Sequence, residues 1–287
     1  MANNSKNTVS VIIPMYNAEK TIEVALNSIE RQSAVNRIEE IIVINDGSLD
    51  TSEQKVRDYM EKHSELPIQF VSQENKGASA ARNAGLKIAK GDLIALLDAD
   101  DIWLEEKLEK QLQILDEHPD IVFLGAGCKD KIFKRKGKKI TKLYRADLFD
   151  IFWSFFPVTP SVIFRRYAIE KVGYFDESQK YCEDINYYLR FCIYYNYYYL
   201  PEKLVLIDYK KQYFGEYGLT SNMKGMHEGE MKNLKELFQN KQVSFIFYIF
   251  FDIFLNLKYL RRLSKFLLVK KSKNVYRKET AQNSSLF

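Results

Sequence analysis

The 287-residue sequence has few cysteines and no glycine-rich phosphate loop. Its three cysteines, Cys128, Cys182 and Cys192, form no Cys-x-x-Cys pair. A disulfide framework and a zinc site built from paired cysteines are therefore excluded, and we expect a reduced, cytoplasmic protein. Neither Gly-x-Gly-x-x-Gly nor a Walker A sequence occurs, so dinucleotide binding and P-loop chemistry are poorly supported.

The sequence also lacks an apolar run long enough to cross a membrane. Residues 243–257 are almost all apolar or aromatic, but a segment of about 15 residues is shorter than the ~20 of a spanning helix. Residues 1–7 are polar and lead directly into a strand-like run. This N-terminus predicts that no signal peptide is present.

Positive charge is concentrated near the C-terminus. Residues 258–278 contain nine of the 43 basic residues and no acidic one, which leaves 34 bases against 38 acids elsewhere. An apolar segment followed by a basic one predicts an interfacial helix that is attracted to anionic lipid headgroups. A core helix packed on the preceding domain is an alternative. A nucleic-acid-binding tail is less well supported, because Phe and Ile dominate the segment.

Strand-like and helix-like segments alternate over the first hundred residues. Apolar runs predict strands, and apolar residues spaced three and four apart predict helices. Strands that are apolar on both faces predict an α/β fold, with a mostly parallel, Rossmann-like sheet flanked by helices. The predicted strands are 9–13, 41–44, 68–71 and 93–97, and the predicted helices are 21–31, 50–63 and 78–89.

The pattern is less regular beyond residue 103. The basic segment 129–142, which contains Gly137, predicts a solvated hairpin in preference to a binding site. The other predicted elements are helices at 104–118, 184–195 and 222–238 and strands at 121–124, 161–164 and 204–209.

An acidic cluster, Asp98, Asp100 and Asp101, directly follows the apolar run 93–97. Clustered carboxylates repel one another unless a cation or hydrogen-bond donors lie between them. Hard oxygen ligands at a strand end suit Mg²⁺ or Mn²⁺, and substrate phosphates often complete the shell of such ions. The cluster therefore predicts a metal-diphosphate site, with a solvated acidic turn as the alternative.

Two other polar segments follow predicted strands. Residues 14–17 come after the first strand, and residues 45–48 come after the second. In a parallel sheet, ligands bind beyond the carboxyl ends of the strands. We therefore expect both segments and the acidic cluster to meet in one crevice.

Five motifs together resemble glycosyltransferase family 2, whose members are inverting enzymes with the GT-A fold. They are VSVIIPMYN (9–17), IIVINDGSLD (41–50), ENKGASAARNAG (74–85), LLDADDIW (96–103) and Glu183-Asp184. Each motif alone is weak, whereas their order and spacing are specific. The resemblance covers about residues 8–240. It implies a GT-A domain over 1–240, with a nucleotide-sugar half (8–125) and an acceptor half (126–240), and a C-terminal helical, basic tail over 241–287.

The resemblance implies a role for each acidic residue near the first strands. Asp100 is implied as the metal ligand, Asp98 as a residue that binds the ribose or orients the site, and Asp101 as their support. A helix N-cap is the alternative role for Asp101. Asp46 corresponds to the acidic residue that reads uracil through its ring N–H. Asn45 departs from the common Asp-Asp-Gly-Ser form of this motif.

Four other residues are implied as nucleotide contacts. Pro14 and Tyr16 would border the base, with a simple strand-ending turn as the alternative. Asn75 and Arg82 match family positions near the nucleotide, where a fixed cation suits phosphate. The alternative for Arg82 is an ordinary surface residue of a helix.

Asp184 is the candidate catalytic base, because it matches the Asp of the family's Glu-Asp pair at the start of a helix. The helix dipole favours an ionised carboxylate there, and a helix cap is the alternative. Thr220 and Ser221 match a loop that approaches the donor diphosphate. His227 is a poor match to the histidine that completes the metal shell in some relatives, and we expect it to be exposed.

The resemblance implies a specific reaction. This is inverting, Mn²⁺- or Mg²⁺-dependent transfer of glucose or galactose from a UDP-sugar to a lipid-linked saccharide such as GlcNAc-diphospho-undecaprenol, with a β-linked product, in the synthesis of O-antigen or another surface polysaccharide. The expected partners are the donor, the acceptor and an anionic membrane surface, without nucleic acid. The expected location is peripheral, on the cytoplasmic face of the bacterial inner membrane. A nucleotidyltransferase that makes an NDP-sugar and a non-catalytic membrane scaffold are the alternatives.

Overall fold

A computed structural model describes residues 7–128, 133–135, 137–154, 157–207 and 222–284, with side chains described as far as residue 264 and at residue 266. These residues form two compact units. The first unit contains the described residues of 1–179 and 183–212. The second contains residues 180–182 and the described residues of 213–287.

The first unit is built on an eight-stranded sheet. Its first strands are apolar on both faces, which is typical of strands covered by helices on either side. The described strands are β1 (Val9–Met15), β2 (Ile38–Asp46), β3 (Ile68–Gln73), β4 (Leu93–Leu96), β5 (Ile102–Trp103), β6 (Phe123–Gly127), β7 (Lys134–Arg135), β8 (Lys138–Lys139), β9 (Tyr144–Ala146), β10 (Ile163–Arg165), β11 (Tyr197–Lys203) and β12 (Val205–Leu206).

The strand order of the sheet is β3-β2-β1-β4-β10-β6-β11-β9. Among the described strands of this sheet, only β10 and β9 run antiparallel to their neighbours, which confirms the predicted mostly parallel arrangement. The chain moves outward from β1 to β2 and β3 and then places β4 on the other side of β1. The strand order therefore reverses between β1 and β4, and such a reversal opens a crevice beyond the carboxyl ends of the two strands.

Helices cover both faces of the parallel strands. Val9, Val11 and Ile13 pack in one buried cluster with apolar residues of α1 and α2, whereas Ile12 on the opposite face contacts Gly85 of α3. The described helices are α1 (Ile22–Glu30), α2 (Ser52–Lys62), α3 (Ala78–Ile88), α4 (Lys107–Glu117), α5 (Leu148–Ser154), α6 (Ile169–Val172), α7 (Glu183–Tyr194), α8 (Met223–Gln239) and α9 (Phe245–Ser284).

The second unit is a hairpin of α8 and α9. Phe238 near the end of α8 stacks on Tyr248 near the start of α9, with ring centroids 4.7 Å apart. Further along, Glu230 is buried and pairs with Arg262, at 3.2 Å, and with Lys258. These contacts pair the end of α8 with the start of α9, so the two helices are antiparallel.

The opposite face of α9 is apolar and exposed. Ile246, Phe250, Ile253, Leu257 and Leu260 are 45–81% exposed, and their alternating spacing of four and three residues places them on one helix face. The helix continues into the basic segment that begins at residue 258. Within the described residues, none of the helices is both long and apolar enough to span a bilayer.

Two predicted elements beyond residue 103 extend into residues that the structure does not describe. The basic segment forms the hairpin β7-β8 around Gly137, whose φ of 77° suits a tight turn, and residues 129–132 and 136 lie outside the described residues. The strand predicted at 204–209 is observed as β12, which pairs antiparallel with β5. Its predicted end, residues 208 and 209, lies outside the described residues.

Candidate active site

The segments that follow β1 and β2 are joined by hydrogen bonds. The Asn17 N–H donates to Ser48 Oγ at 3.0 Å, and the Leu49 N–H donates to Asn17 Oδ1 at 2.8 Å. The Ala18 N–H donates to Ser52 Oγ at the start of α2, at 2.7 Å. Asn17 has a φ of 48°, which an asparagine tolerates better than most residues. The two loops therefore form one rim of the crevice beyond the sheet.

Asp46, at the end of β2, organises the loop before α3. Its carboxylate is buried and accepts hydrogen bonds from Gln73 Nε2 at 2.7 Å, the Lys76 N–H at 2.9 Å and the Gly77 N–H at 2.8 Å. Gly47 follows with a φ of 70°, and a Cβ there would lie 2.9 Å from the Asn75 backbone nitrogen. The Asp-Gly sequence thus allows the loop before α3 to lie directly against the end of β2.

A buried guanidinium joins two acidic residues that are far apart in the sequence. Arg82 on α3 donates to Asp98 Oδ1 at 2.9 Å and to Glu183 Oε1 at 3.2 Å. Arg82 is 5% exposed, so the alternative of an ordinary surface residue is wrong. The ion pairs bring the end of β4 and the start of α7 together at this crevice.

Asp184 lies in the first turn of α7, beside this ion-pair network. Its Oδ2 accepts a hydrogen bond from Thr159 Oγ1 at 3.3 Å, and its Oδ1 accepts one from the Ile185 N–H at 2.7 Å. These two hydrogen bonds fix the orientation of the carboxylate, as a general base needs.

Burial and like charge shift the acidic pKa values of this site. Burial and the charge of Asp184 raise the pKa of Glu183 to about 7, although Arg82 opposes the shift. Burial raises the pKa of Asp184 above its usual value, while Arg82 lowers it and the charge of Asp98 raises it further. Three carboxylates therefore lie around one guanidinium, and the excess negative charge favours the binding of a cation.

The residues that follow Asp98 also lie at the crevice. Asp100 is partly exposed and lines an open cavity of about 590 Å³ together with residues 17–21, Leu49 and Asp50. This cavity is lined by residues that follow β1, β2 and β4. Asp101 is buried and precedes β5, and α4 begins only at Lys107, so the alternative of a helix N-cap for Asp101 is wrong.

The donor groups of this site fit a hard divalent cation. Carboxylate oxygens are the ligands that Mg²⁺ and Mn²⁺ prefer, and Asp100 is one of the residues that line the cavity. In the described part of the chain, the acidic residues of the site do not converge as three ligand atoms within 4.8 Å of one another; Glu30, His63 and Glu65 do so elsewhere. A cation held by one or two carboxylates therefore needs further oxygen ligands, such as those of a diphosphate.

The other predicted site residues have varied positions. Pro14 lies within β1, Tyr16 is 51% exposed directly after it, and Asn75 is exposed in the loop that Asp46 holds. Thr220 and Ser221 lie outside the described residues. The prediction that His227 is exposed is wrong. It is partly buried, and its ring stacks on Tyr259 at 4.5 Å.

Two features of the site were not predicted. Thr159, which bonds to Asp184, carries no recognisable motif, and its role depends on a contact 25 residues away. The pair of Arg82 and Glu183 spans 101 residues, so local spacing contains no signal for it. Covariation between related sequences is the kind of signal that would reveal such pairs.

Comparison with known proteins places these features in a family. Residues 10–173 match the family model described as Glycosyl transferase family 2. The chain is 34% identical over 193 residues to an uncharacterized glycosyltransferase of Rickettsia prowazekii, covering 64% of this chain and 58% of that protein. It is 40% identical over 107 residues to the Escherichia coli UDP-Glc:alpha-D-GlcNAc-diphosphoundecaprenol beta-1,3-glucosyltransferase WfgD, covering 37% and 40% of the two chains.

A solved structure is similar over most of the chain. Staphylococcus aureus TarS in complex with UDP-GlcNAc aligns with a TM-score of 0.64 at 25% identity, covering 80% of this chain and 66% of that one. This similarity confirms the GT-A fold. Because the family model covers more than half of its length, the chain belongs to glycosyltransferase family 2.

Proposed function

We propose that this glycosyltransferase transfers glucose or galactose from a UDP-sugar to a lipid-linked saccharide, with GlcNAc-diphospho-undecaprenol as the favoured acceptor and a β-linked product. The observation that carries the proposal is the network in which Arg82 joins Asp98 and Glu183, with Asp184 beside it, where the strand order reverses. The name of WfgD supports the acceptor class, and the UDP-GlcNAc complex of TarS supports a UDP-sugar donor.

Asp184 acts as the general base in this proposal. Its carboxylate accepts the proton of the acceptor hydroxyl while that oxygen attacks the anomeric carbon of the donor. The bond between the anomeric carbon and the diphosphate oxygen breaks on the opposite side, so the configuration inverts and UDP leaves with the electron pair. Thr159 and the Ile185 N–H fix the orientation of the carboxylate for this step.

The loops after β1 and β2 bind the nucleoside in this proposal. Tyr16 and Pro14 border the base, and Asn75 lies in the loop that Asp46 holds. A carboxylate has about four acceptor positions, and Asp46 uses three of them within the chain, so one is left for the ring N–H of uracil. Arg82 orients Asp98 toward the ribose by its hydrogen bond.

Asp100 is the proposed metal ligand, and Asp98 and Asp101 support it. A bound Mn²⁺ or Mg²⁺ would stabilise the negative charge of the departing diphosphate. Asp100 alone among the three acidic residues lines the cavity, and this position supports its assignment.

The exposed apolar face of α9 supports a membrane-linked acceptor. Its large side chains are followed along the helix by nine basic residues, and this combination suits an anionic lipid surface. We propose that the protein binds peripherally to the cytoplasmic face of the bacterial inner membrane, where a lipid-diphosphate sugar is accessible.

A panel assay tests this reaction directly. The protein is incubated with synthetic GlcNAc-diphospho-undecaprenol, Mn²⁺ or Mg²⁺ and each of several UDP-sugars, and the product linkage is determined by NMR. We expect one β-linked disaccharide from UDP-glucose or UDP-galactose. An α-linked product, or turnover with none of the UDP-sugars, would refute the proposal. Release of pyrophosphate from a nucleoside triphosphate would instead identify a nucleotidyltransferase.

Replacement of Asp100 or Asp184 by Asn tests the two site assignments. We expect each substitution to reduce kcat by at least about 1,000-fold, because a metal ligand or a general base is lost. Asp184→Asn should still bind UDP in calorimetry, and the circular dichroism spectra should match that of the unmodified protein. Asp116→Asn, which removes a partner of Arg37 outside the site, is the matched control. Full turnover by Asp100→Asn and Asp184→Asn would refute both assignments.

A further inference from the structure

The hydroxyl that donates to Asp184 belongs to a single 3₁₀ turn of three buried residues, Thr159–Ser161, here called the Thr159 turn. The turn and Asp184 both lie in the first unit. Within the turn, the Ser161 N–H and Oγ donate to the Val158 carbonyl oxygen, at 3.0 and 2.8 Å. A lone 3₁₀ turn has poor hydrogen-bond geometry, so its position depends on side chains that reach it from other elements.

Two buried side chains reach the Thr159 turn. Trp103 Nε1, on β5, donates to the Pro160 carbonyl oxygen at 2.7 Å. Gln111 Nε2, on α4, donates to the Ser161 carbonyl oxygen at 2.9 Å. Trp103 is 2% exposed and Gln111 is fully buried, so water does not compete for either bond. Two successive carbonyl groups of the turn are thus fixed from outside.

Trp103 is itself held in place on several sides. Its backbone N–H donates to Ser28 Oγ at 3.2 Å, and its residue pairs with Val205 of β12. The amine of Lys107 lies 3.8 Å from the centre of its ring. The indole N–H is therefore a donor of fixed position.

Trp103 also connects the acidic cluster with the candidate base. It ends the motif at 96–103, two residues after Asp101. Its indole holds the Thr159 turn, and the Thr159 hydroxyl holds the Asp184 carboxylate. All of these residues lie in the first unit. The motif that contains the proposed metal ligand is thus linked to the base by two hydrogen bonds and one turn.

We propose that Trp103 and Gln111 are positioning residues that act on the Asp184 carboxylate through Thr159. In an inverting transfer, the base and the leaving group lie on opposite sides of the anomeric carbon, so a small error in the direction of the base slows the reaction. The two donors prevent this error by fixing the Thr159 turn. The proposal rests on the proposed function in that it takes Asp184 as the base.

Thr159→Val and Trp103→Phe, alone and combined, test the proposal. Thr159→Val removes the hydroxyl at nearly constant volume, and Trp103→Phe removes the indole N–H but keeps an aromatic ring. We expect each to lower kcat by about 10- to 100-fold, with the UDP dissociation constant unchanged within about twofold. Because Trp103 acts through Thr159, the double variant should lose no more kcat than Thr159→Val alone. Turnover is measured with the donor and acceptor that react in the panel assay, and UDP binding is measured by calorimetry.

Gln111→Met repeats the test from the second donor and decides the question if Trp103→Phe does not fold. It removes the amide at nearly constant length, and we expect a loss of kcat that again disappears in the Thr159→Val background. Tyr59→Phe is the matched control, because it removes a buried hydroxyl that bonds to Asn27 and Glu30 of α1. We expect it to lower the thermal midpoint while kcat stays within about twofold of the unmodified protein.

An equal fractional loss of kcat from Trp103→Phe with and without the Thr159 hydroxyl would overturn the proposal, because Trp103 would then act independently of Thr159. Unchanged kcat in Trp103→Phe and Gln111→Met would overturn it as well. A parallel loss of UDP affinity, or an equal loss of kcat in Tyr59→Phe, would assign these residues a merely structural role and also overturn it.

Asp184→Asn is assayed in parallel to separate two kinds of failure. If Asp184→Asn retains turnover, the assignment of the base is wrong. If Asp184→Asn is inactive while Thr159→Val and Trp103→Phe turn over normally, the base is correct and the Thr159 turn does not position it.

Discussion

Proton transfer at Asp184 depends on whether its carboxylate is ionised. Burial raises the pKa of this carboxyl above the ordinary value of 3.8, and the guanidinium of Arg82 counteracts the shift. A general base is active only in its deprotonated form, so activity is lost as the pH falls through the raised pKa. The acidic limb of the rate profile therefore reports this environment.

We expect the acidic limb of the kcat profile to lie above the usual range of an aspartate and to move to higher pH in Arg82→Met. The substitution removes the positive charge that lowers the pKa of Asp184. Rates measured between pH 4.5 and 8.5 at saturating donor provide the test. A rate that does not fall as the pH is lowered to 4.5, or a limb that moves to lower pH in Arg82→Met, would contradict it.

The side-chain amine of Lys107 is fully buried in the first unit. Its Nζ lies 3.8 Å from the centre of the Trp103 ring and has no hydrogen-bond partner among the described residues. Burial lowers the pKa of this amine well below its usual value of 10.5. Between this lowered pKa and 10.5, the unfolded chain therefore binds a proton that the folded chain does not bind.

The buried amine makes the free energy of unfolding depend on pH. Between the lowered folded pKa and the unfolded value of 10.5, this group makes stability rise with pH by about 1.4 kcal/mol per pH unit. We expect Lys107→Met to remove that slope between pH 7 and 9. Urea unfolding followed by tryptophan fluorescence is suitable, because Trp103 and Trp153 both lie in the first unit.

Lys110→Met is the control for this measurement. Lys110 lies one turn further along α4 and pairs with Glu106 and Glu202, and these partners raise its pKa. It is protonated in both states between pH 7 and 9, so its removal should leave the slope unchanged. Equal slopes in the unmodified protein and Lys107→Met would mean that contact with the Trp103 ring keeps the amine charged.

At the scale of elements, the local spacing of apolar residues is sufficient to predict the strands and helices of the first half of the sheet. The helices predicted at 21–31 and 78–89 are observed as α1 and α3 within one residue at each end. Their apolar spacing reflects burial against the sheet, which is a property of the local sequence. The position of the acidic residues at one edge of the sheet is predictable for a related reason, because parallel strands present their carboxyl ends at the same edge.

Elements stabilised by distant partners were not predictable in the same way. Strand β5 has two residues and pairs with β12, about 100 residues later in the chain. That pairing gives the residues after Asp101 a strand conformation instead of a helix start. The environment of His227 likewise depends on Tyr259 of α9, which no pattern near His227 indicates. Helix α9 runs from Phe245 through the basic segment as far as Ser284.

At the scale of the whole molecule, charge and apolar surface are distributed unevenly along the chain. The nine basic residues of 258–278 follow the exposed apolar face of α9 in the same helix, while the rest of the chain has a slight excess of acid. A membrane that is negatively charged would attract the basic segment and accept the apolar one. Two separable contributions to membrane binding follow, one that depends on salt and one that does not.

We expect the protein to bind vesicles that contain phosphatidylglycerol more tightly than vesicles of phosphatidylcholine alone, and we expect this preference to decrease between 0.1 and 0.5 M NaCl. Salt screens the attraction of about 1 kcal/mol per basic residue but leaves apolar insertion intact. The double variant Ile253→Ser and Leu257→Ser should weaken binding at both salt concentrations by about 3 kcal/mol, roughly 100-fold. Sedimentation with vesicles measures both effects.

Ile88→Ser is the matched control, because Ile88 is a large exposed apolar residue of the first unit outside α9. A general effect of surface hydrophobicity would weaken binding in this variant too, whereas a specific membrane face on α9 leaves it unchanged. Binding that is insensitive to both lipid charge and the α9 substitutions would mean that the apolar face of α9 has another occupant. A salt-sensitive but substitution-insensitive result would restrict the membrane contact to the basic segment.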